Sequence, residues 1–305
     1  MSVLRKAVHD YLEMRRSLGY KLGHYEGPLL DFAGYFERTG EPFVSSPIVM
    51  NWLSSGASDR NQANRLGIVR GFADYFRSFE PRTTVPPMAK VRRRNRRPMP
   101  FIYKDKEIRA LIAASRELKK PARAELFSTL LGLLAVTGLR ISEALNLDRG
   151  DFDAAEGILL VRDAKFGKSR RVPVHKTTVA ALKAYADNRD RLLPRARSES
   201  FFLSSRGKRP FKQNLYDTFT VLLGRVGLPT QPKRRPRLHD LRHTFAVRTL
   251  MDWFQSGADV QALLPVLSTY LGHVCPSCTY WYLTAVPELV CEAAKRLEHH
   301  TGGQQ

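Results

Sequence analysis

Between Leu271 and Leu283 the chain reads LGHVCPSCTYWYL. This stretch holds a histidine, a Cys-x-x-Cys pair and two tyrosines two positions apart. Three chemistries fit those residue types. Cys275, Cys278 and His273 could ligate a metal, the two thiols could do redox work, or one tyrosine could be a nucleophile helped by the histidine. A structural zinc site needs about four ligands. No second Cys-x-x-Cys follows, Cys291 lies 13 residues past Cys278, and His299 and His300 are near the end of the sequence. A thioredoxin-like pair wants a strand–helix context, which the surrounding pattern lacks. The metal and thioredoxin-like readings are therefore weak, and the tyrosines remain.

Three other stretches could serve a phosphate. In TGLRISE, Gly138 permits a tight turn and Arg140 opens a helix. Helix N-termini favour anions, so an arginine there is eased by an anionic ligand, with Glu143 able to brace it from i+3. The plain alternative is a surface Arg–Glu pair. In RPRLHDLRHT, His239 and Arg242 are three apart and share a helix face, while His243 is expected to point elsewhere. A guanidinium can bind a phosphate bidentately and an imidazole can move a proton. An ordinary basic helix would look similar. In DAKFGKSRRVPV, Lys165 and Lys168 fall at or near a hairpin tip. A tip can offer an ammonium to a groove or a leaving group, and Lys168 suits a backbone-contact or solvated role.

Taken in order, TGLRISE, AKFGKSRRVPV, HDLRHT, LGH and a tyrosine nine residues on together resemble the tyrosine recombinase (phage integrase) family. The resemblance covers about residues 104–297. Its wording is closest to transposon-encoded and stand-alone integrase-like members. It implies that Arg140 and Arg242 hold the scissile phosphate, with Glu143 supporting the first. It further implies that Lys165 is the hairpin lysine, that His239 and His273 are the two assisting histidines, and that Tyr282 is the nucleophile. Spacing from His273 selects Tyr282 and leaves Tyr280 and Trp281 to pack. The family cuts one strand at a time, forms a 3′-phosphotyrosine and rejoins the 5′-hydroxyl to a new partner.

The chemistry asks for such a set on its own account. Attack on a phosphodiester builds negative charge that fixed guanidinium groups stabilise without a metal. A free tyrosine hydroxyl titrates near ~10 and needs a base or cationic field to attack at neutral pH. His239 is the candidate for the phenolic proton, Lys165 for protonating the expelled 5′-oxygen, and His273 for a hydrogen bond to the phosphate. The covalent link conserves bond energy, so no ATP is expected, and the sequence has no G-x-x-x-x-G-K-[ST] loop. The acidic run from Asp148 to Glu156 is better explained by turn chemistry than by a two-metal site. No cofactor is expected.

Elements must bring these residues together. The 305 residues allow two domains. Helical periodicity over residues 1–85 predicts about four helices, with Leu29, Leu30, Ala33 and Phe36 as the apolar side of the second. This resembles the family's core-binding (SAM-like) domain. Residues 86–103 read as a Pro/Arg linker, six of the eight residues from Lys90 to Arg97 being cationic. Residues 104–305 read as the second domain, helical with a β-hairpin around residues 158–175. The fold class is mostly α (α+β). The last pattern, PELVCEAAKRLEHH, places Leu289, Val290, Ala293, Ala294 and Leu297 on one side. By resemblance it docks in trans on a neighbouring protomer, the plain alternative being packing on its own domain.

Fifty Lys and Arg against 29 Asp and Glu leave a formal charge of +21, which predicts a polyanionic partner. Double-stranded DNA is expected, held by Arg60, Arg65 and Arg70 on the fourth helix, by Lys168, and by Lys90, Arg92, Arg93, Arg94, Arg96 and Arg97 in the linker. The longest apolar stretch, Leu130 to Val136, is too short to span a bilayer. Three cysteines give no disulfide framework, and a cytoplasmic, nucleoid-associated protein is expected. The family implies a homo-oligomer, a tetramer on DNA, with or without sister recombinases. A non-catalytic DNA-binding regulator on this scaffold and a type IB-like topoisomerase are the competing functions.

Overall fold

The computed structural model describes residues 2–55, 59–87, 99–162, 169–231, 235–273, 275, 277–285 and 289–292, excepting the side chains of residues 59, 60, 284 and 285. It forms two compact units, Met1–Arg97 and Pro98–Gln305.

In the first unit, α1 (Val3–Ser17), α2 (Glu26–Thr39), α3 (Ser46–Ser54) and α4 (Asp59–Phe76) succeed one another. Ser2 caps α1 by accepting the Arg5 N–H at 3.2 Å. Pro47 lies in the first turn of α3, where its missing N–H costs nothing. The core gathers Val8, Leu12, Leu29, Phe32, Trp52, Leu66 and Phe72. The second helix is turned slightly from its expected face. Leu30 is exposed and Phe36 only partly buried, while Phe32 points inward, edge-to-face with Trp52 at 5.2 Å.

Two expected DNA-contact residues have partners within this unit. Arg65 pairs with Asp31 and its guanidinium lies 4.1 Å from the Trp52 ring centroid. Arg70 donates to the Pro86 carbonyl. Their charges tie α4 to α2, to α3 and to the chain that follows. The side chain of Arg60 and the residues Lys90, Arg92, Arg93, Arg94, Arg96 and Arg97 lie outside the described residues.

The described residues on either side of the linker attach to their own units. Thr84 N–H donates to the Val44 carbonyl at 3.0 Å, which keeps it with the first unit. Tyr103, expected in the linker, is buried in the second unit. Its N–H donates to Thr244 Oγ1 at 3.0 Å and its hydroxyl to the Arg237 carbonyl at 3.1 Å. A tyrosine so placed joins the core with its polar ends satisfied.

The second unit begins with α5 (Asp105–Arg116) and α6 (Pro121–Thr137). Leu126, Phe127, Leu130, Leu131, Leu133 and Leu134 of α6 are all buried, and α5, α8 (Lys176–Leu192) and α10 (Leu238–Gln255) surround it. A helix with so many buried apolar side chains packs centrally, each contributing about 1.5–3 kcal/mol on burial. After α7 (Ile141–Asn146) come β1 (Phe152–Asp153), β2 (Ile158–Val161) and β3 (Arg170–Pro173), an antiparallel sheet in that order. Leu159 pairs with Val172, both fully buried. The hairpin tip with Lys165 and Lys168 lies outside the described residues. The chain closes with α9 (Lys212–Arg225), α11 (Val260–Leu271) and α12 (Ser277–Ala285). Among the described residues no helix is long and apolar enough to cross a membrane.

Candidate active site

Two glycines fix the site. Gly138 ends α6 and Gly272 ends α11, each in the left-handed conformation, at φ 61° and 66°. A helix that ends this way presents its last carbonyls outward, at the negative end of the helix dipole. Arginines take those carbonyls. Arg242 donates to Gly138 O at 2.8 Å and to Leu271 O at 2.7 Å. Arg140 donates to Gly272 O at 2.9 Å. Three elements distant in sequence are thereby locked around two guanidinium groups. Neither glycine accepts a larger residue. A Cβ on Gly138 would stand 2.7 Å from Phe245 Cδ1, and one on Gly272 would stand 2.7 Å from Arg170 Nη1.

Glu143 joins them. It is buried one turn into α7, and its carboxylate accepts Arg140 N–H at 2.9 Å and Arg140 Nη1 at 2.6 Å. Arg170, from β3, reaches the same carboxylate at 2.9 and 3.2 Å and donates Nε–H to the Tyr270 carbonyl at 2.9 Å. Burial alone would raise the carboxyl's pKa. The hydrogen bonds and charges of Arg170 and Arg140 outweigh it and hold the carboxyl below its ordinary value. Arg170 was not singled out from sequence. It stands two places after Lys168 and next to Arg171, and only the strand register shows that it points in.

Arg242 is buried, and its pKa is pushed down to about 10, first by desolvation and then by the neighbouring charge of Arg140. Glu143 offsets part of this charge, and a phosphate would add a second anion to the pair. His239 lies one turn earlier on α10. Its pKa is pushed down to about 4 by burial and then by Arg242 and Arg237. Although its residue surface is largely open, the ring stands among cations and stays neutral at physiological pH.

The tyrosine hydroxyl meets His243, a residue not singled out from sequence. His243 Nδ1 lies 2.8 Å from Tyr282 Oη. The rings of His239 and His243 meet edge-to-face at 4.8 Å. Positions i, i+3 and i+4 of a helix form one stripe, so His239, Arg242 and His243 share a side. The expectation that His243 points away judged it against Arg242 alone. The chance pattern H-x-x-R-H held the signal.

Tyr282 is 2% exposed and packs with Ala246, Val247, Leu250 and Leu271. Tyr280, two residues earlier on α12, is 43% exposed. His273 stacks on the Tyr282 ring at 6.5 Å, and its Nδ1 lies 2.7 Å from Thr279 Oγ1, itself fully buried. Cys275 and Cys278 occupy the turn between them, sulfurs 3.6 Å apart. Leu289 is buried in the cluster that holds Tyr282, so the start of the C-terminal pattern packs on its own domain; Ala293, Ala294 and Leu297 lie outside the described residues. Among the described residues no group of three or more His, Cys, Asp or Glu side chains converges as a metal site would. Arg140, Arg242, His239, His273 and Tyr282, with Glu143 behind them, are brought into one neighbourhood.

Residues 102–288 match the model of the phage integrase family. The chain is 41% identical to the integrase/recombinase y4rB of Sinorhizobium fredii, over 98% of both chains. It is 32% identical to the tyrosine recombinase XerD of Caulobacter vibrioides, over 86% of both chains. Its fold is similar to that of the XerH site-specific recombinase bound to palindromic difH substrate. The TM-score is 0.66 and the identity 20%, over 90% of this chain and 79% of that one. With the family's motifs on the elements just described, and relatives matched end to end, the chain belongs to the phage integrase family of tyrosine recombinases.

Proposed function

We propose that the chain is a site-specific recombinase that cleaves and rejoins double-stranded DNA through a 3′-phosphotyrosine on Tyr282. The observation that carries this is the placement of the Tyr282 hydroxyl on His243, the residue after a buried arginine. His243 accepts the phenolic proton as Oη attacks phosphorus. Arg140 and Arg242 take the charge that grows on the non-bridging oxygens. His239 and His273 flank the phosphate with hydrogen bonds. Lys165, between β2 and β3 in sequence, gives a proton to the departing 5′-oxygen. Attack by a 5′-hydroxyl from another strand reverses these steps, and the tyrosine leaves with the proton returned. No bond energy is lost, so neither a metal nor ATP enters.

Exchange of both strands between two duplexes cuts four strands, and each site has one nucleophile. Four copies on paired DNA satisfy that arithmetic, with the charge of +21 supplying affinity for the phosphates. Arg242 and Tyr282 are both buried, so α12 moves outward before a phosphate reaches them. The test uses nicked suicide duplexes drawn from the DNA bordering the gene. Wild type should trap DNA in a complex that survives denaturation, and Tyr282→Phe should trap none. Equal trapping by the two ends the proposal.

A further inference from the structure

We propose that Cys275 and Cys278 are a reversible dithiol–disulfide pair that governs the mobility of α12. Their sulfurs lie 3.6 Å apart, and Cys278 N–H donates to the Cys275 carbonyl at 3.2 Å, which folds the two residues onto one turn. A disulfide spans about 2.05 Å, so side-chain rotation closes a gap of roughly 1.5 Å. Cys275 is exposed and its sulfur sits 3.0 Å from Ser277 Oγ; Cys278 is half-buried. This is the arrangement of an attacking thiol with a resolving thiol behind it.

The position gives the bond its consequence. Cys278 and Tyr282 are four apart on α12 and share a face. Thr279, next to Cys278, is tied to His273. A bond from Cys278 back to Cys275 staples the first turn of α12 to the segment leaving His273. Tyr282 must leave its 2%-exposed seat to meet a phosphate, and the staple opposes that movement. The effect on catalysis rests on Tyr282 being the nucleophile; the bond itself does not.

The oxidant is a low-molecular-weight disulfide. The Cys275 thiolate attacks it, forms a mixed disulfide and releases one small thiol. The Cys278 thiolate then attacks the Cys275 sulfur, forms the intrachain bond and releases the second. Two electrons pass to the small disulfide, and the two protons end on its released thiols.

The experiment treats the full chain with oxidised glutathione, then maps thiols by alkylation and mass, amide exchange across residues 277–285, and trapping of suicide DNA. The peptide spanning both cysteines should lose about 2 Da while Cys291 stays alkylatable. Exchange in α12 and DNA trapping should each fall about fivefold or more. Dithiothreitol should restore both, and in Cys275→Ser and Cys278→Ser, where no intrachain bond can form, exchange in α12 should stay at its reduced-state level. Three alkylatable thiols after oxidation would overturn the proposal, as would a bond to Cys291 or a Cys275–Cys278 bond that leaves exchange unchanged. If the reduced chain traps no DNA, the nucleophile reading fails, and mass and exchange still decide the dithiol.

Discussion

His243 Nδ1 lies 2.8 Å from the hydroxyl oxygen of Tyr282, across 39 residues of sequence. Arg242 beside it is bonded to the carbonyls that end α6 and α11. A buried guanidinium and the imidazole that meets the tyrosine hydroxyl are thus fixed by adjacent residues of one helix.

If His243 takes the phenolic proton, His243→Gln should slow covalent complex formation by about 10²-fold, the usual scale for removing a general base. Binding of uncut DNA should be unchanged. His239→Gln should cost less in the cleavage step. Single-turnover trapping compares the two, and a larger loss at His239 would return the proton to that residue.

Glu143 holds Arg140 and Arg170 together in a buried cluster. Glu143→Gln leaves two guanidinium groups facing a neutral amide, so stability should fall by on the order of 3 kcal/mol. Urea denaturation reads the loss. Asp74→Asn, which breaks an exposed pair with Arg77, should shift it by less than about 1 kcal/mol.

Gly138→Ala should destabilise by roughly 3 kcal/mol, because the left-handed backbone and the close approach of Phe245 add. The same change at Gly40, left-handed with open space around it, should cost about 1–2 kcal/mol. Equal midpoints for the two variants would mean that the Gly138 turn is not tightly packed.

His239 gives stability a pH dependence. Its folded pKa, about 4, lies below the unfolded value near 6.5. Between those values the unfolded chain binds more protons, so stability is complete above about 6.5 and declines as pH falls towards 4. Water at the open side of the ring moderates the decline. The denaturation midpoint of wild type should drop more between pH 7 and pH 5 than that of His239→Asn. Parallel drops would remove His239 as the cause.

The sequence showed the helices, the hairpin and the motif residues, because period and glycine placement are local properties. It missed what depends on neighbours from elsewhere. Phe32 rather than Leu30 faces inward because Trp52 meets it. Arg65 looked like a surface cation until Asp31 and Trp52 closed on it. Arg170 shares its composition with the basic residues beside it, and strand register alone turns it to Glu143. His243 was passed over because it was judged one step from Arg242 rather than four from His239, and because only α12 shows what meets that side.

The central claim is that Tyr282, not Tyr280, forms the bond to DNA. Wild-type protein trapped on a suicide duplex can be digested with nuclease and protease, and the tyrosine carrying the nucleotide identified by mass spectrometry. The mass should sit on Tyr282, with Tyr280→Phe trapping DNA at the wild-type rate. A nucleotide on Tyr280, or on no tyrosine, would contradict the account.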